Sequence, residues 1–308
     1  MKKLLLCLMS MTFAAEASAL KILITNDDGL SSNVVALTNA LRNAGHQVVV
    51  SVPCTGQSGR SGALIFYSQQ TIVASNDAQI TANNGCTFGI ANIGDPAMGP
   101  FKRMGFKDYH YVHATPVVAA LYGADAVAKQ KWGTAPDLVI SGPNEGQNVG
   151  GINLISGTVG AAQFASLRDI PSIAVSAGEN TASNTLNNPR SVIVANQVVK
   201  LVSELQRKSA NNRLIPKNVI LNVNMPNNVT AKTPFAFSRV GTFNKYDLSM
   251  GTSSTPVEIP VSRATPSQKY DEAVVSDQKI SVTALQVGYE SSLATQSWLK
   301  LYLKDLFK

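Results

Sequence analysis

Two adjacent carboxylates, Asp27 and Asp28, lie in the turn Asn26-Asp27-Asp28-Gly29, directly after the segment 21–25, whose apolar residues Ile22 to Ile24 are typical of a short buried strand. In an open α/β sheet, ligands bind at the carboxyl ends of the strands. Two carboxylates held side by side there repel each other unless a cation or a proton neutralises them. Because Mg²⁺ and Mn²⁺ prefer oxygen ligands, the pair predicts a divalent-metal site. The alternative is that the pair only caps the following helix and closes the turn.

Three further polar segments fall where a predicted strand ends or a predicted helix begins. They are Gln57-Ser58-Gly59, Ser141-Gly142-Pro143-Asn144 and Ser156-Gly157-Thr158. Because the strand ends of a parallel sheet share one edge, we expect these segments beside the two aspartates. Taken singly, each is ordinary: a turn, a loop braced by its own Asn, and a helix start. Their coincidence at one edge favours a functional site.

The donor types in these segments suit hydrolysis of a phosphate ester. A divalent cation lowers the pKa of a bound water and withdraws charge from a phosphoryl oxygen. A helix start presents backbone N–H groups to phosphate oxygens. The predicted metal donors are Asp27, Asp28, the Ser58 hydroxyl and the Asn144 carbonyl oxygen, and the predicted phosphate donors are Ser156, Gly157 and Thr158.

Other reaction classes fit the sequence less well. There is no Gly-x-Ser-x-Gly elbow, no Cys/His spacing typical of zinc, and no Gly-x-Gly-x-x-Gly after the first strand. The adjacent carboxylates also differ from the Asp-x-Asp spacing of phosphatases that form an aspartyl phosphate. One of the three histidines, His113, flanks a predicted strand that ends at the same edge of the sheet. Both a catalytic role and a structural hydrogen bond are possible roles for it.

Strands and helices alternate through most of the chain, which predicts an α/β fold with a mostly parallel sheet covered by helices on both faces. The predicted strands are 22–24, 47–52, 109–113, 137–141, 171–176 and 219–225, with short ones at 63–68 and 70–74. The predicted helices are 33–44, 116–130, 157–167 and 189–208. Beyond 226 the pattern predicts strands at 235–240 and 279–285 and a terminal helix over 297–308. We therefore expect a core over 20–226 and a C-terminal extension of the same domain over 227–308.

The N-terminal segment, 1–19, has the features of a secretory signal peptide. Lys2 and Lys3 precede an apolar stretch over 4–13, and Ala17-Ser18-Ala19 fits the small-residue cleavage pattern. We expect a protein that is periplasmic or secreted after cleavage near Ala19, with no later segment of transmembrane length.

Cleavage would leave two cysteines, Cys54 and Cys86. An even pair in an oxidising compartment permits a disulfide, and two separate thiols are the alternative. The formal net charge of the whole chain is +7. Without a Lys/Arg run or basic residues interleaved with aromatics, this charge does not indicate a nucleic-acid surface. It suits a small phosphate-bearing substrate.

Seven segments together, in chain order, resemble the SurE family of stationary-phase survival nucleotidases and acid phosphatases. They are 22–29, 57–59, 136–150, 156–162, 170–176, 221–226 and 280–285. The resemblance implies a Rossmann-like core whose C-terminal arm serves in homodimers or homotetramers. It also implies metal-dependent hydrolysis of nucleoside monophosphates, with Mg or Mn as cofactor.

Carried over to this sequence, the resemblance gives every candidate residue a role. Asp27 and Asp28 are expected to be catalytic because they hold the metal that activates the water; acceptance of the water's proton by one of them is the alternative. The implied metal ligands are Asp27, Asp28, Ser58 and Asn144, and the implied substrate contacts are Asn26, Gly59, Ser156, Gly157 and Thr158.

The chain also departs from the family pattern. Ala114 and Val118 replace a Gly and an Asp, Pro143 replaces an aliphatic residue, and Glu145 stands where an Arg is usual. Two of these departures, Glu145 and Val118, keep an alternative open, a protein that binds nucleotides or metal without turnover. A third hypothesis is that the protein hydrolyses another kind of ester with the same metal.

Overall fold

The computed structural model describes residues 18–68, 70–74, 77–209, 213–245, 247–250, 256–259 and 263–306. Residues 1–17 of the predicted signal peptide lie outside the described residues.

Within the described residues, nine strands form one mixed sheet in the order β3-β4-β2-β1-β5-β6-β7-β11-β8. The neighbours from β4 to β7 run parallel, whereas β3 and β11 run antiparallel to β4 and β7. The strands are β1 Lys21–Thr25, β2 Gln47–Pro53, β3 Met98–Pro100, β4 Tyr109–Val112, β5 Leu138–Glu145, β6 Ser172–Ala177, β7 Val219–Asn224, β8 Phe235–Ser238, β9 Asp247–Met250, β10 Pro256–Ile259 and β11 Ile280–Gln286.

Helices cover both faces of this sheet. They are α1 Ser32–Asn43, α2 Ala78–Asn83, α3 Pro116–Tyr122, α4 Ala128–Trp132, α5 Gly157–Leu167, α6 Pro189–Lys208, α7 Glu272–Val275 and α8 Leu293–Tyr302. Side chains alternate across a strand, so successive residues of β1 enter different cores. Ile22 and Ile24 pack in the core that includes α1 and α6, whereas Leu23 packs in the core that includes α5. The predicted parallel sheet with two covered faces is confirmed.

The stretch 54–108 differs from the prediction. Instead of strands at 63–68 and 70–74, the structure has only isolated bridges there, Phe66 to Ala114 and Thr71 to Pro96. The backbone of this stretch bonds to the ends of other elements; for example, the N–H of Tyr67 donates to the carbonyl oxygen of His113. Because neither 63–68 nor 70–74 has a continuous partner strand, neither segment forms a ladder. The short elements α2 and β3 in this stretch were not predicted.

The C-terminal extension contributes to the main sheet, because β11 pairs with β7 and β8 pairs with β11. The hairpin of β9 and β10 was not predicted. The helix α8 begins at Leu293, four residues before the predicted start, because the Ser292 hydroxyl caps it by accepting the N–H of Thr295. In the part of the chain that the structure describes, no helix has the length and apolarity needed to cross a membrane.

A disulfide joins Cys54, directly after β2, to Cys86. The two residues are 32 positions apart in the sequence. A cross-link that closes a loop of this length restricts the unfolded chain and contributes about 3–4 kcal/mol to stability. We expect the double variant Cys54→Ser, Cys86→Ser to lose that free energy of unfolding in guanidinium titrations. An equal stability for the oxidised wild type and the double variant would contradict this.

Asp271, before α7, is a buried carboxylate that ties the extension together. Burial acts to raise its pKa, but hydrogen bonds from Arg239 and from the backbone N–H groups of Thr242 and Phe243 outweigh burial and hold the pKa below its ordinary value.

A lowered pKa means that the ionised form of Asp271 stabilises the fold, above the ordinary pKa of an unfolded Asp. This contribution is lost as the pH falls through the lower, native pKa. We expect Asp271→Asn to cost about 2 kcal/mol at pH 7, and less at pH 3, because bonds to an ionised acceptor are lost. Urea unfolding at the two pH values checks this, and a difference that stays constant with pH would contradict it.

Candidate active site

Asp27 is the point at which two of the predicted segments meet the first strand. It lies just past the end of β1, and only 3% of its surface is exposed. Its carboxylate Oδ1 accepts a hydrogen bond of 2.6 Å from the Thr158 hydroxyl, and its carbonyl oxygen accepts one of 2.6 Å from the N–H of Gln57. Residues 131 positions apart are thus joined directly at the strand end.

Gly157 makes the close approach of α5 to Asp27 feasible. A Cβ atom at position 157 would lie 2.8 Å from Asp27 Cβ and 3.0 Å from Asp27 Oδ2. The backbone N–H groups of Gly157 and Thr158 stabilise the ionised Asp27 carboxylate. The start of α5 therefore faces the acidic pair, as the sequence predicted.

Asp28 contacts the backbone of the residue that directly follows the third predicted segment. It is partly buried, and its Oδ2 accepts a hydrogen bond of 3.1 Å from the N–H of Glu145. The neighbouring Asn144 donates its side-chain N–H to the carbonyl oxygen of Gly146 at 2.7 Å. This bond uses the amide nitrogen of Asn144 and leaves its Oδ1 as the atom available to a cation.

The segment 141–144 was expected to follow its strand, but β5 continues to Glu145. The pairing of β5 with β6 shifts register between Ser141 and Asn144. Gly142 lies at this irregularity with a φ of +114°, and a Cβ there would meet the carbonyl oxygen of Val175. A bulge changes the direction of the residues that follow it. Directly after this one, the N–H of Glu145, the neighbour of Asn144, reaches Asp28 while still within the strand.

The turn after β1 is braced by Asn26, which is fully buried. Its amide nitrogen donates to the carbonyl oxygen of Gly29 at 2.7 Å, and its Oδ1 accepts the N–H of Gly29 at 3.1 Å. This pair of bonds fixes the turn that presents Asp27 and Asp28. A contact between Asn26 and phosphate stays a prediction.

The remaining candidates, Ser58, Gly59 and Ser156, lie on the loop after β2 and at the start of α5. Ser58 and Gly59 are exposed, and within the described residues no hydrogen bond fixes the Ser58 hydroxyl. The Ser156 hydroxyl caps α5 by accepting the N–H of Val159 at 3.1 Å. That hydroxyl is therefore engaged in capping the helix, and a contact between Ser156 and phosphate stays a prediction.

Burial and neighbouring carboxylates raise the pKa values of the carboxyl groups at this edge of the sheet, and within the described residues no cationic side chain lowers them. Burial raises the pKa of Asp27, although hydrogen bonds from Thr158 and the backbone oppose it. Burial, and then the charges of Asp27 and Glu145, raise the pKa of Asp28 well above its ordinary value. Burial also raises the pKa of Glu145 to about 7. Three carboxyl groups thus lie close together. The third, that of Glu145, is not among the site residues that the sequence predicts and enters there only as a departure from the family pattern.

These residues fit a hard divalent cation. The donors are all oxygen atoms, and a cation would offset the repulsion between the carboxylates. The side-chain oxygens of Thr25 and Ser141, paired neighbours on β1 and β5, are buried and have no hydrogen-bond partner. Across the described ranges, no group of three or more His, Cys, Asp or Glu side chains is arranged to hold a metal. A cation here would thus also depend on the oxygens of Asn144 and Ser58.

His113 lies apart from these contacts. It is buried at the end of β4, and its Nδ1 lies 3.2 Å from the Ser68 hydroxyl. Its ring packs 5.6 Å from the ring of Tyr67, whose hydroxyl donates to Gln57 Oε1. His113 thus supports the loop after β2 through Tyr67, which agrees with a structural role.

Comparison with known proteins shows which proteins this chain is similar to. A family model described as survival protein SurE matches residues 22–247. An acid phosphatase of Yarrowia lipolytica is 32% identical over 226 residues, which cover 70% of this chain and 59% of that protein. A protein named 5'-nucleotidase SurE from Picosynechococcus sp. is 32% identical over 215 residues, or 68% of this chain and 65% of that protein. The chain thus spans somewhat less than two thirds of the length of these curated relatives.

The structural comparison covers a larger share of the chain than these sequence matches do. The crystal structure of the SurE protein from Aquifex aeolicus superposes with a TM-score of 0.63 at 25% identity, covering 92% of this chain and 99% of that one. The α/β fold predicted from the sequence is confirmed by this likeness. Since the family model also covers most of the chain, the protein described here belongs to the SurE family.

Proposed function

We propose that this protein is a divalent-metal-dependent phosphomonoesterase that hydrolyses nucleoside monophosphates. The observation that carries the proposal is the pairing of the acidic turn with two other elements. Asp27 bonds to Thr158 at the start of α5, and Asp28 bonds to the backbone of Glu145 beside Asn144. The names of the relatives, 5'-nucleotidase and acid phosphatase, support the same reaction class.

The side chains that would hold the cation are Asp27, Asp28, Ser58 and Asn144. When bound, a divalent cation supplies positive charge to a phosphoryl oxygen and makes a water more acidic. The helix start at Gly157 adds the positive end of the α5 dipole on the same side. Asp28 is the better acceptor for the proton of the attacking water, because it is partly exposed whereas Asp27 is buried and bonded to Thr158.

Two departures from the family pattern have structural explanations. Val118 and Ala114 lie together in a small apolar cluster and are almost fully buried, so their change affects packing rather than the polar site. Glu145 is different, because its carboxyl group adds negative charge beside Asp28. That charge favours cation binding and opposes a phosphate anion, which keeps binding without turnover as the second candidate.

A hydrolysis assay distinguishes the phosphomonoesterase from the binding protein. The substrates are p-nitrophenyl phosphate and 5'- and 3'-nucleoside monophosphates, and each is measured with Mg²⁺, with Mn²⁺ and with EDTA. Turnover that needs an added cation and stops with EDTA supports the phosphomonoesterase. Tight Mn²⁺ binding without release of phosphate from any substrate would replace it with the binding protein.

We also propose that the protein is exported and loses residues 1–19. The disulfide between Cys54 and Cys86 supports this, since disulfides persist in oxidising compartments. N-terminal sequencing of the protein from a periplasmic or secreted fraction should begin at Leu20. A cytosolic chain that keeps Met1 would contradict export.

We further propose assembly as a homodimer or homotetramer. Apolar side chains of α8 are largely exposed in the single chain, among them Leu293, Trp298, Leu301 and Tyr302. Contact with a second copy would remove this apolar surface from water. Light scattering after size exclusion should give a mass of two or four chains, and a monomer at micromolar concentration would contradict the proposal.

A further inference from the structure

The connecting loop, residues 146–155, joins two parts of the candidate active site. It follows β5, which carries Asn144, and it ends at Ser156, the cap of α5. The shape of this loop therefore affects how a cation donor and the phosphate-facing helix start are placed relative to each other.

The first half of the connecting loop is held by buried amides. The N–H of Asn148 donates to Asn224 Oδ1 at 2.8 Å, and the Asn148 side chain donates to the Ser176 hydroxyl at 2.9 Å. The carbonyl oxygen of Asn148 accepts from both Asn222 and Asn224. This half is thus fixed to β6 and β7.

The second half is held by Glu272, the first residue of α7, which lies 122 positions from Gly150. Glu272 is fully buried. Its Oε1 accepts the N–H of Gly150 at 2.9 Å and the side-chain N–H of Asn153 at 2.5 Å. Its Oε2 accepts the side-chain N–H of Asn222 at 3.1 Å.

Every one of these partners donates a hydrogen bond, so both side-chain oxygens of residue 272 must act as acceptors. The ionised carboxylate meets that requirement. Although burial raises the pKa of Glu272, hydrogen bonds from Thr283, Gly150, Asn153 and Asn222 favour the charged form. Replacement by Gln would keep the size of the side chain but direct an N–H₂ group at one of these donors. The carboxylate is therefore matched to the loop in a way that the amide is not.

We propose that Glu272 is a positioning residue of the candidate active site, which it serves by holding the connecting loop between Asn144 and Ser156. The proposal rests on the proposed function, because it assigns the loop to that site. Among the described residues, Glu272 bonds to the connecting loop and to Asn222 on β7 and makes no hydrogen bond to Asp27 or Asp28, so its effect on the site passes through the placement of other groups.

The test compares Glu272→Gln with Val202→Ala. Val202 is fully buried on α6 within the core that includes α1, so its truncation lowers stability without touching the connecting loop. Three quantities are measured in both variants and in wild type. They are amide hydrogen exchange of peptides covering 146–156, the Kd for Mn²⁺ by calorimetry, and KM and kcat for p-nitrophenyl phosphate.

We expect Glu272→Gln to speed exchange in 146–156 and to weaken Mn²⁺ binding about tenfold, as is typical when a residue that orients a metal ligand is changed. Val202→Ala should lower the melting temperature but change neither. If Glu272→Gln behaves like Val202→Ala in exchange and in Mn²⁺ binding, the proposal is wrong.

A second variant keeps the test decisive if Glu272→Gln does not fold. Asn153→Ala removes one loop donor and leaves the carboxylate in place, so a smaller change in the same direction is expected, and none would overturn the proposal. If wild type neither binds Mn²⁺ nor releases phosphate, the proposed function fails. The exchange data then still decide whether Glu272 holds the loop.

Discussion

Asp28→Asn is expected to reduce phosphomonoester hydrolysis by about a thousandfold or more, the scale seen when a key electrostatic group is removed from an active site. Asp27→Asn should do the same. Asn keeps the shape of the side chain but removes the charge that would bind a cation and, at position 28, the acceptor for the proton of the attacking water. The measurement is release of phosphate from p-nitrophenyl phosphate with saturating Mn²⁺.

These variants should fold normally, and Asp28→Asn has a further signature. A carboxylate whose pKa is raised by folding destabilises the native state at every pH above its unfolded pKa. Without added metal, Asp28→Asn should therefore melt at the same temperature as wild type or higher. The stabilisation that wild type gains from Mn²⁺ should be lost, because a ligand stabilises only a state that binds it.

Asp125→Asn is the matched control, since it removes a carboxylate from an exposed pair with Arg168. It should hydrolyse the substrate at the wild-type rate. Near wild-type turnover in either Asp27→Asn or Asp28→Asn would instead refute the assignment of the acidic pair.

The second large effect is expected at Gly157. In Gly157→Ala, the new Cβ would lie 2.8 Å from Asp27 Cβ and 3.0 Å from Pro116 Cγ, so either Asp27 or the start of α5 must move. Displacement of reacting groups by about 1 Å can cost a hundredfold in rate, and we expect a loss of that order in kcat/KM.

Gly123→Ala is the control for steric overlap as such. A Cβ at Gly123 would meet the side chains of Leu23 and Ser51 at 2.6 and 2.8 Å, inside the protein and away from the acidic turn. We expect this variant to lose stability while the folded protein keeps its KM and kcat. A Gly157→Ala enzyme with unchanged kinetics would show that the helix start does not touch the reacting groups.

Much of the architecture was available from the sequence because it depends on local patterns. The apolar run of β1, the helical stripe of α1 and the 3.6-residue period of α6 predicted those elements within a few residues. A parallel sheet brings its strand ends to one edge, so the acidic turn and the start of α5 could be expected to lie together before any contact was known.

The stretch 54–108 was less predictable, for a physical reason. Most of its backbone makes isolated bridges and turns instead of a ladder, and a disulfide from Cys54 to Cys86 cross-links it, so no repeating pattern of side chains marks its course. The π-helical turn Gly123–Val127 inside the predicted helix 116–130 is another such case. There, Gly123 packs against Leu23 and Ser51, two strand residues that the local sequence does not specify.

By itself, the sequence determined the order of the core strands β1, β2, β4, β5, β6 and β7 and of the helices α1, α5 and α6, the edge at which the polar groups gather and the family to which the chain belongs. Only the tertiary structure decided which of those groups touch. Thr158 bonds to Asp27, the N–H of Glu145 just after the bulge in β5 bonds to Asp28, and Glu272 holds Gly150 from the far end of the chain. Periodicity reports which side of an element is buried, because burial repeats with the backbone geometry. A hydrogen bond between distant residues leaves no such repeat, since it depends on how whole elements pack.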